Sequence, residues 1–172
     1  MRSPTEDDAL AAVEHALGVT AVAARRFPTG LCHYVYEVEL GDERSVVARL
    51  ATEETEGLLC GGIYWQQKLQ PLDLPLAKLL HADTKGIYPC MILERLRGDD
   101  LGTVYPQLSD DNKQDIAAAV VEAQNRAAQL PEASGFGFAT TYDDPSLKRF
   151  PSWMHVVMGS LEGSRNQIIE VG

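Results

Sequence analysis

Long apolar runs, cysteine and basic charge are all scarce in this sequence, and each scarcity excludes something. No apolar stretch comes near the ~20 residues that a membrane-spanning helix needs. The opening MRSPTEDDAL carries acid where a secretory leader carries basic and apolar residues. The expectation is a cytoplasmic protein with no membrane partner. The three cysteines, Cys32, Cys60 and Cys90, are odd in number and widely spaced, which suits neither a disulfide framework nor a zinc site. The four histidines, His15, His33, His81 and His155, are isolated from one another, so no metal site built from Cys and His is expected. Lys and Arg total 15 against 25 Asp and Glu, for a net charge of −10. An acidic surface repels DNA, RNA and anionic lipid, so nucleic acid is not an expected partner. The same charge suits a cationic small molecule and also serves plain solubility.

What is present is enough for a folded core. The chain has 172 residues, 45% of them hydrophobic, which allows one compact domain or two small lobes around a cleft. Thr5 can cap a helix with Leu10, Val13 and Leu17 on one face and Gly18 at its end. Strands are predicted over 20–27, 32–40 and 45–51, the second alternating Tyr34, Tyr36, Val38 and Leu40, with Gly41-Asp42-Glu43 as a hairpin turn. Residues 53–70 read as a helix, with Leu58, Trp65 and Leu69 as apolar contacts and Gly61-Gly62 opposing it. LPLAKLLHAD (74–83) and YPCMILERL (88–96) form a further hairpin around Thr84-Lys85-Gly86. Ser109 can cap a long helix with Asp110 and Asp111 in its first turn, an apolar stripe from Ile116 to Leu130, and Pro131 as its stop. Ser152 can cap a last helix carrying Trp153, Val156, Val157 and Leu161. No repeat, low-complexity tract or flexible linker interrupts this order.

Three places can carry chemistry. The turn Thr29-Gly30-Leu31-Cys32-His33 lies between two strands, and a glycine there lets backbone N–H groups approach phosphate oxygens without a Cβ in the way. It is equally an ordinary turn, since neither G-x-G-x-x-G nor G-x-x-x-x-G-K-[ST] is present. Arg49 lies in the apolar strand SVVARLA with Val47 and Ala51 on its own face, so it either snorkels to water from an edge strand or holds a ligand's anionic group. In YPCMILERLRGDDL (88–101) five apolar residues run into Glu94, Arg95 and Arg97, then Gly98 and an Asp pair. Asp99 or Asp100 capping a short helix accounts for that pair better than metal ligation does. Five strands, a helix between the third and fourth, and a polar crossover into helices is the order of a protein-kinase-type N-terminal lobe. In such a lobe the last strand opens into a hinge whose backbone reads an adenine edge.

These segments, taken in order, resemble the aminoglycoside phosphotransferase and choline kinase-like family: the loop TGLCHYVYEV, the strand VVARLA, the strand LPLAKLLHAD and the hinge MILERLRGDDL. YWQQKL, VYPQLS, GFGFA and a later PSW are similar to a bacterial branch of phosphotransferases. The resemblance implies an α+β fold: a protein-kinase-like N-terminal lobe over 1–98, with a five-stranded antiparallel sheet and a helix, then a helical segment over 99–172 that begins a C-terminal lobe. It implies ATP as the cofactor. Gly30, Cys32 and His33 would lie against the phosphates, Arg49 would bind them, and Leu93 would stand behind the adenine. The Glu94 C=O and the Leu96 N–H would take the adenine edge. Cys32 and His33 depart from the family's Ser and Asn. The acid that normally pairs with the basic residue falls near Gly62, while the available acids, Glu53, Glu54 and Glu56, lie upstream.

The family's catalytic loop, H-x-D-x-x-x-x-N, does not occur in these residues. His81-Ala82-Asp83 matches only its first positions, with Tyr88 where Asn is required, and it precedes the hinge. Asp143-Asp144 lacks the surrounding signature. The expectation is an incomplete C-terminal lobe and a chain with little or no turnover alone, Mg²⁺ being expected only with a complete lobe. A non-catalytic binding module that keeps the fold is the alternative, and a kinase completed by another polypeptide is a third. Family members phosphorylate hydroxyls of aminoglycosides, choline, sugars and amino-acid derivatives, and the acceptor here stays open. The apolar faces of the 110–130 helix and the Trp153 helix lead to an expected self-association, with Trp153 and Leu161 nearest the contact.

Overall fold

Thr5 starts the first helix, α1 (Glu6–Leu17), with a reciprocal cap: its side chain accepts from the Asp8 N–H, and the Asp8 carboxylate accepts from the Thr5 N–H at 2.8 Å. Gly18 ends it at φ 65°, a left-handed turn that glycine adopts without strain. The computed structural model describes residues 2–28, 32–132, 135–137, 140–141 and 150–161. Thr29, Gly30 and Leu31, and the Asp143-Asp144 pair, lie outside them.

After α1 come strands β1 (Ala21–Arg26), β2 (Tyr34–Leu40) and β3 (Ser45–Leu50), helix α2 (Glu56–Leu69), and strands β4 (Leu79–Asp83) and β5 (Cys90–Glu94). They form one antiparallel five-stranded sheet in the order β1-β2-β3-β5-β4. This is the α+β architecture of a protein-kinase-like N-terminal lobe. Two strands are shorter than their apolar runs predict. Residues 74–78 are not strand, because a 3₁₀ turn at Gln70–Leu72 delivers the chain to the sheet edge only at Leu79. Strand β5 stops at Glu94 rather than 96, where Lys78 gives both its carbonyl, to the Glu94 N–H at 2.9 Å, and its N–H, to the Glu94 carboxylate.

Alternate residues send two cores to opposite faces of the sheet. On one face Tyr36, Val38, Leu40, Val46, Ala48, Leu50 and Ile92 pack with Ala9 and Val13 of α1. Tyr36 is buried, and its hydroxyl donates to the Pro4 carbonyl at 2.6 Å, while the Tyr88 hydroxyl donates to the Arg2 carbonyl, so the N-terminal segment is tied to this layer. On the other face Ala51, Met91 and Leu93 pack with Leu59 and Ile63 of α2. Burying each of these apolar side chains contributes roughly 1.5–3 kcal/mol.

Beyond β5, Asp100 caps the short helix α3 (Leu101–Val104) by accepting from the Gly102 N–H at 2.8 Å. Ser109 caps α4 (Asp110–Ala127) through the Asn112 N–H, and Arg126 near its end reaches the Asp73 carbonyl at 2.7 Å. No residue of α4 is buried. The chain divides into two compact units, Met1–Leu130 and Pro131–Gly172. Within the second, Phe136 and Phe150 exchange backbone hydrogen bonds, Trp153 meets the Phe136 ring edge-on, and residues 153–161 are helical.

Candidate functional site

The register places the chemistry on the α2 face. One row across the sheet is Val35, Arg49 and Met91, and the next is Glu37, Val47, Leu93 and Leu79. Rows of this kind lie about 7 Å apart. Arg49 therefore stands on an interior strand, paired on both sides, and the edge-strand reading of this residue does not hold. Its Nε is buried with no hydrogen-bond partner among the described residues. A guanidinium N–H withdrawn from water and left unmade costs of the order of 1–3 kcal/mol, so the position is costly unless an acceptor arrives. No ion pair reaches Arg49 among the described residues. In α2 the position where the resemblance leads one to expect an acid falls near Gly62, where a Cβ would meet nothing within 4 Å.

His33 stands close to Arg49. Its Nε2 lies 3.4 Å from the Thr55 carbonyl at the start of α2. Burial holds the imidazole below its ordinary pKa, the bond to the Thr55 carbonyl opposes that shift, and the Arg49 charge adds to it. A neutral imidazole beside a cation leaves net positive charge for an anion. Cys32 is exposed. Gly30 falls outside the described residues, so the loop that would cradle phosphates is represented by its two ends only.

The residues expected to form a hinge lie at the end of β5. Leu93 is buried at the end of β5, Glu94 is exposed, and Leu96 is half-exposed. The Leu96 N–H has no partner among the described residues, so it is open to a ligand acceptor or to water. An open groove of about 710 Å³ runs beside it, lined among others by Glu37, Arg44, Lys78, Glu94, Arg95 and Leu96. Arg49 and His33 do not line that groove. The described candidates thus form two clusters, Arg49 with His33 near the α2 start and Leu93, Glu94 and Leu96 at the end of β5, with Arg49 and Leu93 on the α2 face and Glu94 opposite Val46 of the α1 face.

Two residues were missed by sequence reasoning. Glu37 accepts from Arg25 of β1 at 2.7 Å through one carboxylate oxygen and from Arg95 Nε at 2.8 Å through the other. These two hydrogen-bonded guanidinium groups, Arg25 first, hold the Glu37 carboxyl below the usual carboxylate range against a smaller opposing effect of burial. The Arg95 guanidinium also donates to the Leu96 carbonyl and lies 5.6 Å from the centre of the Phe27 ring. The available signal was the spacing: Glu37 is the middle outward position of an alternating strand, and Arg95 is two residues past Leu93, on the same face.

Among the described residues no group of Cys, His, Asp and Glu is arranged to hold a metal ion, and no helix is long and apolar enough to cross a membrane. No protein-family model matches the chain. No curated protein matches it. Among solved structures, a Thermobifida fusca protein described as a "putative fructosamine-3-kinase" is similar over 56% of this chain, with 16% sequence identity and a TM-score of 0.44. The matched part covers 33% of that protein. The fold assignment made above rests on strand order, register and helix placement.

Proposed function

We propose that the sheet and hinge form an ATP-binding lobe of a small-molecule phosphotransferase of the aminoglycoside and choline kinase type, acting in the cytoplasm. The observation that carries this reading is the buried, unpartnered Nε of Arg49 on an interior strand, on the same face as Val35, Val47 and Leu93. An anionic group supplies the acceptor that Arg49 lacks among the described residues, and His33 stands beside it. Val35 and Val47 offer an apolar roof to a base, Leu93 stands behind it, and the Glu94 C=O and Leu96 N–H meet its edge. The donor set suits the phosphates but not the metal, because the described residues bring no carboxylates together near Arg49. In phosphoryl transfer the metal bridges phosphate oxygens and neutralises developing charge. In this reading the chain binds nucleotide and, because the H-x-D-x-x-x-x-N motif does not occur in its sequence, turns over little or no acceptor.

Titration of the chain with ATP, with and without Mg²⁺, tests the reading. Saturable binding in the micromolar to millimolar range supports it, and no heat or fluorescence change up to several millimolar overturns it. A second reading, a non-catalytic module that keeps the fold, is favoured by Gly62: no acid holds Arg49 from α2. Phosphorylation of any amino-alcohol, sugar or aminoglycoside acceptor by the pure chain would overturn both the inactivity and this second reading.

Self-association belongs to the same proposal. In the 153–161 helix Trp153, Met154, Val157, Met158 and Leu161 are all about half exposed or more, and α4 exposes Val120 and Val121. A symmetric pairing through these helices covers such surface with a second copy. Light scattering over a dilution series decides it: a monomer mass at every concentration excludes the dimer.

A further inference from the structure

We infer that Arg95, held by Glu37, closes the Leu96 carbonyl to ligands and thereby makes the hinge select against purines carrying a 2-amino group. This rests on the nucleotide reading above and adds a specificity-determining pair to it. Arg95 follows the gate position Leu93 by two residues, so its side chain lies on the cleft face, and it is fixed there by three contacts. Its Nε donates to Glu37 at 2.8 Å, its guanidinium donates to the Leu96 carbonyl, and its charge lies over the Phe27 ring. Glu37 is itself anchored from the other side by Arg25 at 2.7 Å, and its side chain is only 19% exposed. The guanidinium is therefore a placed group rather than a mobile surface arginine, and it spans from the hinge to β2 across the β3 edge of the groove.

The consequence for a base follows from its edge chemistry. Adenine presents a 6-amino donor and then the N1 acceptor, which match the Glu94 C=O and the Leu96 N–H. The next position along that edge is C2, and the next backbone group along the hinge is the Leu96 C=O. In adenine C2 bears only hydrogen and asks for no acceptor. A 2-amino group needs one, and here the carbonyl already accepts from a guanidinium, whose positive charge and donors face any further donor. Two donors then face each other, with the loss of a hydrogen bond that the amino group made to water. A mismatch of this kind lowers affinity by roughly tenfold.

Comparing ATP with the 5′-triphosphate of 2,6-diaminopurine riboside isolates this one group, because the 6-amino and N1 positions are unchanged. The wild-type chain is expected to bind ATP about tenfold more tightly than the diaminopurine nucleotide. Arg95→Met keeps stem packing on Phe27, leaves Glu37 paired with Arg25, and frees the carbonyl, so the preference is expected to fall to near parity. Glu37→Gln is expected to reduce the preference partly, with circular dichroism unchanged. ATP binding with equal affinity for both nucleotides in the wild type, or a preference that survives Arg95→Met, overturns the inference while leaving the nucleotide reading intact. No ATP binding at all overturns both.

Discussion

The two faces of the sheet are built from alternate residues of the same strands, yet they carry different material. The α1 face is apolar across the sheet interior, and α1 covers it with Ala9 and Val13. The α2 face has an apolar patch of Ala51, Met91 and Leu93 under Leu59 and Ile63, but Arg49, Glu37, Arg25 and Arg95 share that face. A face that only had to fold would not place an unpartnered guanidinium N–H on an interior strand, where its desolvation is uncompensated. The contrast separates a layer that stabilises from a layer that keeps polar groups available. The buried Tyr36 hydroxyl on the α1 face is satisfied, whereas the buried Arg49 Nε on the α2 face is not.

Breaking the α1 face should give the largest effect. Ile92 is fully buried there, and Ile92→Ala should cost about 3 kcal/mol through lost transfer energy and a residual cavity, read from urea unfolding midpoints at constant slope. Nucleotide affinity of the folded fraction should be unchanged. Next in size, Leu96→Pro removes the open hinge donor and should weaken ATP by about thirtyfold or more, close to 2 kcal/mol. Unaltered affinity in a variant with a native circular dichroism spectrum would remove the hinge from the site.

Arg49→Met sharpens the comparison because it should act oppositely on function and stability. ATP affinity should fall about tenfold while adenosine affinity stays level, and stability should be unchanged or higher by up to ~1 kcal/mol once the orphan donor is gone. Equal losses for ATP and adenosine would assign Arg49 a purely structural role.

The smallest effects are those of pH, and both come from the α2 face. Glu37 has a folded-state pKa lowered by its two arginines, so it contributes stability that is present above the unfolded carboxylate value and is lost as pH falls through the folded one. Glu37→Gln should flatten the acid limb of the stability curve. His33 is also lowered, mainly by burial, so the unfolded chain takes its proton first and stability declines as pH drops below the ordinary histidine value, near ~6.5. His33→Gln should remove that shallow decline, measured by melting temperature between neutral and mildly acidic buffer.

Much of the fold was legible because its signals are local. Thr5 and Asp8, three residues apart, write a capping box; Gly18 writes a helix stop; and Tyr34, Tyr36, Val38 and Leu40 write a strand with one buried side. Strand ends were less legible: 74–78 and 95–96 continue the runs that read as strand, but an edge needs a partner, and Lys78 and Glu94 already close the ladder. The site was legible only as residue types. Arg49, Leu93, Glu94 and Leu96 were singled out through the family resemblance, while the contact of Glu37 with Arg95, 58 positions apart, is visible only in the structure.

Local chain chemistry alone determined the caps, the turns and the alternation that gives the sheet two faces. Only the tertiary structure decided that β5 inserts between β3 and β4, and with it that Arg49 is interior, has no hydrogen-bond partner for its Nε among the described residues, and shares a face with Leu93. The physical reason is that strand order and register are fixed by hydrogen bonds and side-chain packing between segments far apart in the chain. Whether a polar group finds a partner depends on those distant neighbours, and no spacing within the sequence records them.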